Sequence, residues 1–237
     1  MALPKIKHPT YKVKLTSLKK SVDIRPFTVQ EEKLLLMTAA ANDSDSIIST
    51  IKQIINNCVL DDIDVDKLAS FDIEYIFLKL RAKSVGEIVK LVHTDPEEGS
   101  VEYEVNLEDV EVKVSPEHKN KFLIHEKIGV IMKYPSIDQL KTIMVQDEDA
   151  ITESETENIF KMLISCIESV YDDEKLYTDF TSDELYDFIM SMPMESLQKL
   201  QNFFETMPSV ELTKEISLPS GKKKEIKVKG ITSFFTL

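Results

Sequence analysis

The apolar residues of this chain change their spacing several times along its length. Between residues 47 and 58 they recur every three or four positions, as in a helix with one buried face. Between residues 88 and 105 apolar and polar residues alternate, which is typical of half-buried strands. Helical spacing returns after Pro135, and alternation returns after Pro208. These changes predict an α+β fold.

Most of the predicted elements are helices, so we expect a mainly α-helical body. Residues 87–134 are predicted to form an inserted small antiparallel β-sheet between helices. Residues 11–24 and 209–237 are predicted to form terminal β-hairpins, the second of them followed by a tail. Because the chain has no linker, repeat or low-complexity segment, we expect a single domain over residues 1–237.

Capping signals and apolar spacing predict the helix boundaries. One helix is expected to start after Ser70 and to end at Gly86, and another is expected to continue through Ile167 and Val170. Capping boxes, in which Ser or Thr is followed three residues later by Glu, predict three further helix starts: Thr28 with Glu31, Ser154 with Glu157, and Thr181 with Glu184.

The charge of the chain disfavours binding to nucleic acid. Its 42 Asp and Glu residues outnumber its 29 Lys and Arg residues, which gives a formal net charge of −13. This charge repels a phosphate backbone. The basic run Lys222–Lys224 follows Pro219–Gly221, so we interpret it as the exposed tip of a hairpin in preference to a phosphate contact.

Cysteine usage and hydropathy indicate a protein that is made and used in the cytoplasm. Cys58 and Cys166 lie among apolar residues at helical spacing, which predicts buried free thiols. A single disulfide bond between the two cysteines is the alternative. The beginning of the sequence lacks the apolar core of a signal peptide. No stretch approaches the roughly 18 apolar residues of a membrane span, so no membrane partner is expected.

No motif in the sequence predicts an active site. The chain has five glycines, and neither a Walker loop nor a GxGxxG pattern occurs. His93 lies near Asp95 and Glu97, but a solvated turn is favoured over a metal corner. No GxSxG elbow is present, although a distant Ser-His-Asp arrangement stays open. We therefore predict no catalytic residue, no cofactor and no metal. None of the histidines has metal-ligand spacing: His8, His93, His118 and His125.

Two pairs of aromatic residues are candidate partner contacts. Phe203 with Phe204 ends a predicted helix, and Phe234 with Phe235 lies in the last residues of the sequence. Phenylalanine offers a large contact area at low conformational cost, although an aromatic pair is more often part of a core. Because chain ends tend to lie at the surface, the second pair is the better candidate.

Four segments follow one another along the chain: Arg25–Met37, Phe71–Glu87, Met132–Pro135 and Asn202–Pro208. Together they resemble the T4-type bacteriophage baseplate protein family. The opening Met1–Lys5 also fits this family.

This resemblance implies a structural or assembly protein of the baseplate hub, not an enzyme. The expected partners are other phage tail proteins, including hub or tape-measure proteins, and homo-oligomers are also expected because tail proteins usually occur as symmetric copies. The implied location is the host cytoplasm during assembly and then the virion tail baseplate. Some relatives place a cysteine in the turn that here spans His93–Gly99, and its absence makes a zinc site doubtful.

Two alternatives to a hub subunit remain at this stage. One is a transient tail-assembly chaperone that is absent from the virion, and the other, from a different class, is a cell-wall hydrolase of the tail. If the protein is a hub subunit, we expect it to dock through the hairpin edge near the C-terminus. We also expect its acidic surface to steer assembly.

Overall fold

A computed structural model describes residues 6–41, 44–144 and 153–229 of the chain. Among these residues are seven α-helices: α1 (Val29–Ala41), α2 (Ser44–Cys58), α3 (Ser70–Ser84), α4 (Ile137–Met144), α5 (Glu153–Ser165), α6 (Ser182–Met190) and α7 (Met194–Thr206). The same residues contain eleven β-strands: β1 (Tyr11–Leu15), β2 (Lys20–Ile24), β3 (Ile88–Asp95), β4 (Gly99–Asn106), β5 (Glu111–Lys113), β6 (Lys121–His125), β7 (Ile128–Met132), β8 (Ile167–Tyr171), β9 (Leu176–Tyr177), β10 (Ser209–Ser217) and β11 (Lys223–Lys229).

The strands form four antiparallel sheets in the described part of the chain. Strands β1 and β2 pair with each other, as do β3 and β4. The order of the third sheet is β11-β10-β5, and that of the fourth is β6-β7-β8-β9. The expectation of a mainly α-helical body with one small inserted sheet is therefore wrong, although the fold does mix helices and strands. The reason is that β5 and β7 pair with strands far along the chain, which local spacing does not encode.

The chain divides into two compact units. Unit 1 contains the residues up to Lys113 and those from Ser209 onward, and unit 2 contains Val114–Pro208. The boundary at Lys113 falls inside the segment 87–134 that was predicted as an insertion. The C-terminal hairpin of β10 and β11 belongs to unit 1.

Helix α3 forms the centre of unit 1. Its side chains are buried on several faces, and it packs against α2, β1, β5 and β10. The strand pair β1–β2 contributes one buried face. The largest buried apolar residues of the helix are Phe71, Ile73, Ile76, Phe77, Leu78 and Leu80.

Two polar side chains, Asp72 and Lys79, stabilise the edges of the unit 1 core. The carboxylate of Asp72 accepts hydrogen bonds from the backbone N–H groups of Thr16 and Ser17 at 2.9 and 3.0 Å. Lys79 Nζ donates to the carbonyl oxygens of Leu107 and Glu108 at 3.1 and 2.8 Å. These contacts pair side-chain polar groups of α3 with backbone groups outside the helix.

Unit 2 has its own core between the four-stranded sheet and the helices α5, α6 and α7. Aromatic and sulfur-containing side chains supply much of its volume. The fully or nearly buried members are Phe122, Ile124, Val130, Met132, Leu163, Cys166, Ile167, Leu185, Ile189, Leu200 and Phe203.

The helix predictions are confirmed at several boundaries and wrong at one. Helix α3 starts at Ser70, and Thr181 forms a complete capping box with Glu184 at the start of α6. The helix that was expected to include Ile167 and Val170 ends at Ser165, and both residues belong to strand β8.

The other two predicted capping boxes differ from expectation in detail. Glu31 accepts hydrogen bonds from the backbone N–H and the hydroxyl of Thr28, both at 2.6 Å, directly before α1. Helix α5 begins at Glu153, so Ser154 lies inside it.

Candidate partner-binding surfaces

Phe203, the first predicted partner contact, lies in the centre of the unit 2 core. Its side chain has no exposed surface. Its ring centroid lies 5.1 Å from that of His118, 5.6 Å from that of Tyr134 and 5.3 Å from that of Phe204. Phe203 therefore packs inside the unit, and its aromatic neighbours hold it there.

Phe204 is half-buried and packs edge-on against Phe203, so part of its ring faces away from the core. The other predicted pair, Phe234 and Phe235, lies outside the described residues. Their role as partner contacts stays a prediction.

His118 has a structural environment. Its Nε2 lies 3.0 Å from Tyr134 Oη, and its Nδ1 lies 3.1 Å from Thr206 Oγ1. Burial lowers the pKa of His118, so the neutral ring is favoured. The ring thus links the loop after β7, helix α7 and the loop before β6 within unit 2.

A groove in unit 2 runs between strand β9 and helix α6. Its volume is about 350 Å³, and it is named here the β9–α6 groove. Ile128, Val170 and Leu185 are its aliphatic lining residues. Its remaining lining is aromatic and acidic: Tyr171, Asp172, Tyr177, Asp179, Phe180, Glu184 and Phe188.

The rim of this groove lies in a strongly acidic segment of unit 2. Residues 172–187 include one basic residue, Lys175, so the segment has a net charge of −6. Most of these residues are exposed. The seven acidic residues of the segment are Asp172, Asp173, Glu174, Asp179, Asp183, Glu184 and Asp187.

Two of these carboxylates maintain the shape of the rim. Asp172 accepts hydrogen bonds from Tyr177 Oη at 2.7 Å and from the backbone N–H groups of Glu174 and Lys175, and these bonds lower its pKa. Glu184 accepts from the backbone N–H and hydroxyl of Thr181 at 2.7 and 3.0 Å, which lowers its pKa. Both side chains are therefore ionised at neutral pH.

Three other rim carboxylates have no local partner. Asp179, Asp183 and Asp187 are exposed, and they make no hydrogen bond or ion pair through their side chains within the described ranges. They are available to a cationic partner.

The tyrosines that line the groove already contact ammonium groups. Lys121 Nζ lies 4.3 Å from the ring centroid of Tyr171, and Lys175 Nζ lies 4.3 Å from that of Tyr177. These distances are typical of cation–π contacts. The walls of the groove therefore suit lysine side chains.

Tyr171 takes its position because of Gly129 in the neighbouring strand. The two residues are register partners in the sheet, and a methyl group on Gly129 would overlap the Tyr171 ring. A glycine that faces an aromatic residue across two strands lets the ring lie flat over the backbone.

Helix α1 of unit 1 presents a second unusual surface. Apolar residues lie all around this helix, whereas a surface helix usually keeps them on one stripe. Val29, Leu36 and Met37 are 86, 51 and 64% exposed. Unit 1 therefore leaves part of the apolar surface of α1 uncovered.

The C-terminal hairpin ends in an edge strand, as expected for a docking element. Strand β11 pairs with β10 on one side, and its other side pairs with no strand in the part of the chain that the structure describes. Lys222, Lys223 and Lys229 are 77, 71 and 58% exposed through their side chains. That this edge docks onto another tail component stays a prediction.

Both cysteines are free and buried, as predicted. Burial raises the pKa of Cys58 and that of Cys166 to about 11. Among the described residues, no group of three or more His, Cys, Asp or Glu side chains is placed to hold a metal ion. No helix in the same residues has the length and apolar content to cross a membrane.

These features define a two-unit α/β protein whose distinctive surfaces are an acidic aromatic groove, an apolar helix and a lysine-rich strand edge. The family model of the T4 bacteriophage base plate protein matches residues 8–236, nearly the whole sequence, so the chain belongs to this family. Membership supports a structural or assembly role in the phage baseplate and a location there. Searches of curated proteins and of solved structures found no significant match.

Sequence reasoning missed the groove and the apolar surface of α1. A signal for the groove was the density of acidic residues between Asp172 and Asp187, with Tyr177 and Phe180 among them. A signal for the apolar surface of α1 was the run Leu34–Met37, because four consecutive apolar residues lie on every face of a helix.

Proposed function

We propose that this baseplate protein is a subunit or an assembly factor of the central hub, and that it acts through protein–protein contacts and not through catalysis. It would be made and used in the host cytoplasm before or while it joins the tail. The observation that carries the contact hypothesis is the exposed apolar surface of α1.

The exposed apolar residues of α1 support the proposal that a partner protein binds this helix. Leu36 and Met37 are adjacent, and both side chains are more than half exposed. Burial of apolar surface contributes about 25 cal/mol per Å², so a partner that covers this helix gains affinity from both residues. Met adapts its shape easily and is common at binding surfaces.

The surroundings of the reactive groups support a non-enzymatic role. Both thiols are buried with a pKa of about 11, so neither is a thiolate at neutral pH. His118 is held by two hydrogen bonds and by aromatic rings inside unit 2. These groups stabilise the fold instead of facing a cleft.

The test is a pull-down of the tagged protein from infected cells, in which early tail intermediates and mature particles are compared by mass spectrometry. Recovery with hub proteins in both fractions would support a structural subunit. Recovery with intermediates alone would support an assembly chaperone. Recovery with no hub protein would contradict the proposal.

A variant sharpens this experiment. Leu36→Asp with Met37→Asp places charges on the apolar surface of α1, so we expect loss of hub proteins from the pull-down. Lys33→Asp, at an exposed position of the same helix, is the matched control and should retain them. Equal recovery with both variants would show that α1 is not the contact surface.

A further inference from the structure

The β9–α6 groove has the chemistry of a lysine-binding site. A lysine side chain can lay its aliphatic stem on apolar or aromatic surface while its ammonium group reaches a carboxylate. The ammonium groups of Lys121 and Lys175 already lie over the rings of Tyr171 and Tyr177 in the same unit. The surrounding segment from Asp172 to Asp187 carries a net charge of −6.

The rim has capacity for further cations. Lys175 is the one basic residue between Asp172 and Asp187. Asp179 and Asp187 have no ion-pair partner within the described ranges, and Asp179 lines the groove itself. Asp187 follows Glu184 by one helical turn on α6. An occupant with several lysines would compensate these charges.

The chain itself carries such a segment on its other unit. Residues 222–229 contain five lysines and one glutamate, a net charge of +4. Within β11 the exposed residues Lys223, Glu225, Lys227 and Lys229 alternate with the more buried Lys224, Ile226 and Val228, so three lysines point the same way.

The ion pair of Lys223 is exchangeable. Lys223 Nζ lies 2.7 Å from Glu215 Oε1, and both side chains are more than half exposed. Exposed pairs of this kind contribute about 1 kcal/mol or less. A strongly acidic groove can therefore compete with Glu215 for this ammonium group.

We propose that the lysine-rich strand β11 of one copy binds the β9–α6 groove of a second copy. The two contact surfaces are different, so the interface is heterologous and each copy uses its groove and its strand in two separate contacts. The charges of the groove and the strand are complementary, although the chain as a whole has a net charge of −13.

The first measurement is sedimentation velocity of the purified full chain over a range of concentrations. We expect concentration-dependent association that weakens when the salt concentration rises from about 0.1 to 0.5 M, because screening of exposed charges increases. A chain that stays monomeric at all concentrations and at low salt would overturn the proposal.

Two variants separately reverse the charges of the groove and of the strand. Asp179→Lys with Asp187→Lys reverses the groove, and Lys223→Glu with Lys227→Glu reverses the strand. Each should weaken self-association by about tenfold or more. The control, Asp62→Lys with Glu104→Lys, makes the same net charge change as the groove variant at exposed positions of unit 1.

A mixture of the two variants tests the head-to-tail arrangement and also shows that both are folded. The groove variant retains a normal strand, and the strand variant retains a normal groove, so the mixture should associate although each variant alone does not. A chain with both reversals should associate again. These two results together would support the proposal.

Other outcomes would overturn it. If the groove variant loses association but the strand variant keeps it, another segment occupies the groove. If the control weakens association as strongly as the groove variant, net charge and not the groove governs the contact. If the mixture stays monomeric while each variant is folded by circular dichroism, the two surfaces do not bind each other.

Discussion

Tyr171 lies across Gly129 in the four-stranded sheet of unit 2, and no larger residue than glycine fits at position 129 without moving the ring. Tyr171 also forms a wall of the β9–α6 groove, and Lys121 contacts its ring. A single glycine therefore couples the packing of the sheet to the shape of a candidate binding surface.

Replacement of this glycine should reduce the stability of unit 2. For Gly129→Ala we expect a loss of about 1 kcal/mol in the free energy of unfolding, because the added methyl group forces the outer end of the half-buried Tyr171 ring to move. Urea denaturation of the full chain would measure this loss.

The same change should be harmless when the ring is absent. In a Tyr171→Ala background, Gly129→Ala should be neutral or slightly stabilising, since alanine restricts the unfolded chain more than glycine does. A double-mutant cycle in which the two effects simply add would show that the ring does not cause the loss.

The pair Arg25 and Glu31 predicts a loss of stability in acid. Arg25 Nη2 lies 2.7 Å from Glu31 Oε1. Burial acts to raise the pKa of Glu31, but hydrogen bonds from Arg25 and Thr28 outweigh it and lower the pKa from 4.5 to about 2. The folded state therefore binds the proton less readily than the unfolded state, so this stabilisation is present above pH 4.5 and is lost as the pH falls towards 2.

The size of this effect can be measured with a neutral variant. We expect about 2 kcal/mol of pH-dependent stability from Glu31, because solvent near the pair screens part of the interaction. Thermal unfolding between pH 2 and 6, roughly the range of the two pKa values, should show a flatter profile for Glu31→Gln than for the exposed control Glu104→Gln. Equal slopes would contradict the prediction.

The side chain of Asp72 should be required for the turn between β1 and β2. Its carboxylate binds two backbone N–H groups and the Ser17 hydroxyl. We expect Asp72→Ala to cost about 2–4 kcal/mol, because these donors lose their partner in a partly buried site. Asp62→Ala, at an exposed position, should change the stability little, and a similar loss in both variants would argue against this role.

How far the sequence predicts this fold depends on the distance between interacting residues. The capping box of Thr181 and Glu184 and the hairpin that turns at Pro219–Gly221 depend on residues close in sequence, and the structure contains both. The pairing of Lys113 with Ser209 in one sheet depends on residues far apart in the chain. Strand pairing over such distances leaves no local periodic signal, so four sheets were not foreseen.

Strand β8 shows a second limit of the local pattern. Ile167 follows Leu163 by four residues, so it fits a helical stripe as well as a strand. In the structure Ile167 and Ser169 are buried and Glu168 is exposed, which is the alternation of a strand. Pairing with β7 decides between the two, and that partner lies outside any short window.

The candidate surfaces were less predictable than the elements. Phe203 could be assigned either to the core or to an interface from its sequence context, and only the surrounding rings of His118 and Tyr134 place it inside unit 2. The groove depends on β9, a strand of two residues that no spacing rule detects.

The two aromatic pairs should respond differently to substitution. Phe203 is fully buried, so Phe203→Ala should lower the free energy of unfolding by about 3–5 kcal/mol.

Phe234→Ala with Phe235→Ala tests the other predicted partner contact, and we expect normal thermal unfolding with reduced hub assembly and phage yield. Truncation after Lys229 should have the same effect, since it removes both rings. If the truncated chain stays folded and supports normal assembly, the last eight residues of the sequence contain no required partner contact.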